Sequence, residues 1–239
     1  MCFSAGASFG ASAILTVAGI AAVSKVSRSS QLMLAIIPFI FALQQLAEGF
    51  VWLTLTNPEW REWQWLPVHI FLITAQIIWP VWVPFSIALV EKSWKRRKRL
   101  YTIAVAGTLI ALYHAYLFFN FPSVASITSY HIHYAVNATF PQPLIVAIVY
   151  VACILLPPFV SSMKRMKTLG ILSVASFIIT AVFYRDEIVS VWCFFAALIS
   201  WVIFLIMKEL YQTNKKRLRI DRFLASQRMV NAYTEPQAK

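Results

Sequence analysis

Apolar residues fill this chain in long runs rather than in stripes. Seven runs, at approximately 3–24, 31–55, 65–90, 100–121, 142–160, 169–184 and 188–207, come near or exceed the ~20 residues a helix needs to cross a bilayer. The pattern predicts an all-α polytopic membrane bundle of seven transmembrane helices over 1–207, followed by a basic cytoplasmic tail over 208–239. Period-two alternation with frequent turns, the mark of an outer-membrane barrel, is missing. Pro38, Pro80 and Pro84 interrupt the second and third runs and are expected to bend them. In the first run Ser4, Ser8 and Ser12 recur every four residues beside Gly6 and Gly10, a spacing that permits close helix approach. The connection 122–141 is long, apolar and aromatic, and is expected to fold against the bundle rather than hang free.

Composition agrees with the runs: 60% of residues are hydrophobic and 13% charged, about half the charge of a soluble domain. Mean hydropathy is +0.70. Charge placement then orients the bundle. All but Arg61 and Arg185 of the 21 basic residues fall at 25–28, 91–99, 163–167 or after Met207. Positive charge marks cytoplasmic loops, so the N-terminus is expected outside and the C-terminus in the cytoplasm. A cleavable signal is not expected, because the first basic residue, Lys25, follows the first run instead of preceding it. The net charge of +12 then belongs to the cytoplasmic face, where anionic lipids are the expected partners and nucleic acid is not. The tail reads equally as an interfacial helix or as a frayed basic extension.

The polar residues within the runs share one depth. Glu48 is the one carboxylate well inside a run, and Gln44 and Gln45 stand four and three residues before it on the same helical face. A carboxylate at that depth costs roughly 2.5–3.5 kcal/mol even on the mild insertion scale, and so faces the bundle interior with a partner. His69, His114, His131 and His133, together with Cys2 and Cys193, fall at the same outer level. Each has a plainer role as a packing residue, an interfacial ring or, for the thiols, a small apolar filler. Taken together they offer the imidazole, thiolate and carboxylate that zinc or another transition metal accepts. His69, His114, His131, His133, Cys2 and Glu48 are the candidate ligands. Glu48, Cys2 and His114 are the candidate catalytic groups, as general base, nucleophile and alternative base.

Three stretches, "MCFSAGASF" at the start, "AEGFVWL" (47–53) and "WPVWVPFSI" (79–87), carry a family likeness. The chain resembles a bacterial multipass membrane family that opens MCFSA and is known as a domain of unknown function. The resemblance implies a seven-helix protein of the bacterial inner membrane. It implies no activity, so it assigns no functional residues.

The expected function is therefore a membrane metalloprotein with its site towards the outer face, a metal-dependent hydrolase or related enzyme acting on a small or lipid-derived substrate. Two other classes stay open. Gln44, Gln45, Glu48, Gln76 and His114 could line the outer half of a transport path, although the inner halves of the runs are apolar. A ligand-binding sensor with a basic signalling tail is the other.

Overall fold

The computed structural model describes residues 4–128, 131–138, 143–184 and 188–234. Helix α1 (Ala5–Val23) starts where the Ser4 hydroxyl accepts the Ala7 N–H at 3.2 Å. After the short α2 (Leu32–Ala35), α3 (Ile37–Thr56) packs along α1. Ser8 and Ser12 are buried in that seam, and Ser12 donates to the Ala42 carbonyl at 2.8 Å. The glycines of the expected stripe take no part: a Cβ at Gly10 would meet nothing within 4 Å. Close approach is made instead at Gly19, against Phe39, and at Gly49, against Phe9.

Helix α4 (Trp65–Leu72) runs through a π-helical turn, Ile73–Ile78, into α5 (Trp79–Val90), and α6 (Trp94–Asn120) returns alongside. Six stretches are long and apolar enough to cross a membrane among the described residues: Ala5–Val23, Ser29–Thr56, Trp65–Val90, Trp94–Asn120, Lys164–Phe183 and Ile188–Gln227. This is the architecture of a multi-pass membrane protein. The remaining expected run, 142–160, forms α7 (Leu144–Leu155) and a single turn, α8 (Pro157–Val160). Twelve residues rise only about 18 Å. The Pro157–Pro158 pair stops α7, since neither proline has an N–H to continue the ladder.

The all-α expectation needs one correction. Between α6 and α7 the chain forms a hairpin of β1 (Ser123–Thr128) and β2 (His131–Val136), antiparallel, with Ser123 opposite Val136 and Thr128 opposite His131. It packs on the helices as a cap. Ala125 and Ile132 join Trp52, Val68 and Phe71 in one apolar cluster. Tyr134 stacks on Phe71 with ring centroids 4.4 Å apart, and the Gln64 amide donates to the Ala125 carbonyl at 3.0 Å.

Helices α9 (Lys164–Phe183), α10 (Ile188–Ile199) and α11 (Trp201–Thr234) complete the bundle. The boundary expected at 207/208 falls inside α11. Its Lys, Arg, Leu, Gln and Glu residues are all good helix formers, so the apolar segment continues without a break into the basic one.

The basic end is pinned by Glu91, which directly follows α5. It is 1% exposed. Its carboxylate accepts from the Ser93 N–H (3.0 Å), the Ser161 hydroxyl (3.1 Å), the Ser162 N–H (2.7 Å) and the Ser162 hydroxyl (2.8 Å). The Arg97 guanidinium donates to its main-chain carbonyl. Burial raises the carboxyl's pKa, but the donors from Ser162, Ser93 and Ser161 outweigh it and hold the group below its ordinary 4.5. The stabilisation is therefore complete above the unfolded value and is lost as pH falls through the lower folded one. Glu91→Gln is expected to cost about 2 kcal/mol near neutrality. Thermal melting in detergent across pH checks this: the gap between variant and parent should close only below about pH 4.5.

Candidate functional site

The expected polar stripe on α3 is fully buried: Gln44, Gln45 and Glu48 have no exposed surface. Its partners come from α10, a helix distant in sequence. The Ser190 hydroxyl donates to Glu48 Oε1 at 2.5 Å, and Gln45 Nε2 donates to Oε2 at 3.1 Å. Trp79 of α5 stacks on Phe41 and donates its indole N–H to Gln44 Oε1 at 2.8 Å. The Gln44 side chain also reaches the Cys193 thiol, one turn beyond Ser190 on the same face of α10.

A second polar group is created by Pro80. In α-helical register its missing N–H would have bonded the Gln76 carbonyl. In the π register of Ile73–Ile78 it would have bonded the Ala75 carbonyl. Both oxygens find other donors. The Tyr150 hydroxyl donates to Ala75, and the His114 ring bonds the Gln76 carbonyl. Pro84 likewise leaves the Pro80 carbonyl without its ladder partner, and α6 lies against it at Gly107.

These groups line two partly open clefts that meet at Tyr150, Trp192 and Cys193. The cleft nearer the hairpin adds Gln76, His114 and Phe177. The other, the narrower of the two, is walled by Phe41, Trp79, Ile87, Ile154 and Ile203 among others. Helices α7 and α9 touch only sparsely. Trp192 stands at the junction, edge-on to Phe177 with centroids 5.0 Å apart. Its indole N–H is buried and has no acceptor among the described residues. A donor of that kind is costly unless something accepts from it.

The expected metal ligands do not converge. His69 is half-buried on α4 and donates from Nδ1 to the Trp65 carbonyl at 2.6 Å. His114 lies among Tyr113, Phe118 and Tyr150. His131 is buried on β2, edge-on to Tyr184. His133 is half-buried and sits opposite Ser126. Glu48 is held by Ser190 and Gln45. Among the described residues no three His, Cys, Asp or Glu groups lie close enough to hold an ion. Cys2, expected as ligand or nucleophile, lies outside the described residues, as do Asp186 and Glu187.

Tyr150, Ser190 and Trp192 are the residues that sequence reasoning passed over. The available signal was in "SVW" (190–192), where a hydroxyl and an indole precede Cys193 in an otherwise apolar run. A family model described as "Family of unknown function (DUF6629)" matches residues 1–218, and the chain belongs to that family. No curated protein and no solved structure matches the chain.

Proposed function

We propose that this protein takes an apolar, lipid-derived molecule from the bilayer into the cleft between α5–α7 and α9–α10, where a carbonyl or ester oxygen of the ligand accepts from Trp192. The reading includes the finer placement: a bacterial inner-membrane protein crossing seven times, N-terminus outside, basic face against anionic lipid in the cytoplasm. The exposed Trp60, Trp63 and Trp65 near the hairpin suit a membrane–water interface at that end of the bundle, and the basic loops supply its orientation.

The observation that carries the proposal is the buried, unaccepted N–H of Trp192 at the meeting point of two apolar clefts. Ligand sites commonly combine such walls with a few convergent polar groups, here Gln76, His114, Tyr150 and Cys193. The apolar walls of both clefts suit an acyl chain, and the polar groups where they meet suit its polar end.

Trp192→Phe tests the reading, because it removes the N–H while keeping an aromatic ring. Affinity for a photoreactive fatty-acyl ester, measured on the full chain in nanodiscs, is expected to fall about tenfold, the worth of one buried hydrogen bond. The melting temperature should hardly change, because no protein acceptor is lost. Unchanged affinity would sink the proposal.

A further inference from the structure

A separate feature lies at the basic end, away from the cleft. After α1 the chain turns through Ser27 and Arg28, whose N–H groups both donate to the buried Gln31 Oε1 at 2.8 and 3.2 Å. That fixes the backbone of the turn beside α11. Lys25 lies 5.6 Å over the Tyr211 ring and ties the two together. Beyond Tyr211, Asn214, Arg217, Leu218 and Asp221 follow the i, i+3, i+4, i+7 spacing of one helical face. With Ser27 and Arg28 they line a pocket of about 330 Å³.

Three properties give this pocket a preferred occupant. Arg28 and Arg217 both line it, and neither is in a salt bridge; the ion pair found among the described residues is Arg165 with Glu209. Asn214 Nδ2 is shielded from solvent and has no acceptor among the described residues. Two guanidinium forks and a neutral amide, all donors, suit a phosphate group. We propose that the pocket binds the phosphate of an anionic phospholipid headgroup. Asn214 lies seven residues, about 10 Å, beyond Met207, the last buried apolar residue of α11 among the described residues. That is headgroup depth, and Leu218 offers the glycerol end an apolar lip. Asp221 on the rim disfavours a dianion more than a monoanionic phosphodiester, which selects lipid over free phosphate.

Native mass spectrometry of the full chain tests this, with phosphatidylglycerol, phosphatidylcholine of the same acyl chains, and inorganic phosphate as probes. The first phosphatidylglycerol is expected to bind about tenfold more tightly than phosphatidylcholine. Arg28→Gln with Arg217→Gln should remove that preference, and Asp221→Asn should increase it. Lys216→Gln with Arg219→Gln removes the same charge from the opposite face and should change it less than twofold. Equal losses in the two double variants would mean diffuse attraction and overturn the site. Displacement of the lipid by low-millimolar inorganic phosphate would overturn the choice of lipid.

Discussion

The Gly107→Ala variant is expected to lose most of its folded protein. A Cβ at Gly107 would lie 1.9 Å from the Pro80 oxygen and 2.6 Å from its carbonyl carbon. Both are backbone atoms, so no rotamer change relieves the clash, and α5 and α6 must separate. Overpacking costs typically 1–3 kcal/mol when side chains can adjust, and here the cost should be about 3 kcal/mol or more. The same separation would pull His114 from the Gln76 carbonyl that Pro80 leaves open, so binding in the cleft should fall with stability. Gly49→Ala is the control. Its Cβ would meet only the Phe9 ring, at 2.5 Å, and that side chain can turn aside. Membrane yield and thermal melting of the two variants should differ clearly, with Gly49→Ala within about 1 kcal/mol of the parent. Equal behaviour would show that the α5–α6 contact is softer than its geometry.

Glu48→Leu is expected to destabilise the bundle by about 3 kcal/mol, because the Ser190 hydroxyl and the Gln45 amide both lose a buried acceptor. Glu48→Gln should be far milder, within about 1 kcal/mol. Ser190 can still donate to an amide oxygen. Gln45 can rotate so that its Oε1, which has no partner among the described residues, accepts from the new amide. Parallel denaturation of both variants measures the difference. If Glu48→Gln is as damaging as Glu48→Leu, the negative charge itself is required. The carboxylate would then have to be chemical or ion-binding rather than a structural acceptor.

The sequence made the helices legible because spanning a bilayer needs only length and apolarity, both of which are local. The same holds for the α3 stripe, since Gln44, Gln45 and Glu48 share a face by helical geometry alone. Shared depth was a weaker guide. His69, His114, His131 and His133 are expected at one level, but depth leaves the angle around the bundle undetermined, and the described ones form no group of three. The partner of Glu48 was illegible because Ser190 is 142 residues away and reaches it only through the packing of α10 on α3. Two features had local signals that were passed over. "HIHYAV" sets Ile132, Tyr134 and Val136 at every second position, and "SVASIT" carries the β-branched Val124, Ile127 and Thr128, as hairpin strands do. The Pro157–Pro158 pair likewise marks the end of α7.

The cleft is tested most directly by mapping where a photoreactive fatty-acyl ester attaches to the wild-type chain in a bilayer. Peptide mass spectrometry should find the label on the segments holding Tyr150–Val151 and Trp192–Cys193, with excess unlabelled ester suppressing it. Label confined to outward-facing positions such as Phe119, Leu144 and Phe183, and indifferent to competitor, would mean that the probe met only the lipid-exposed surface and that the cleft holds no ligand of this class.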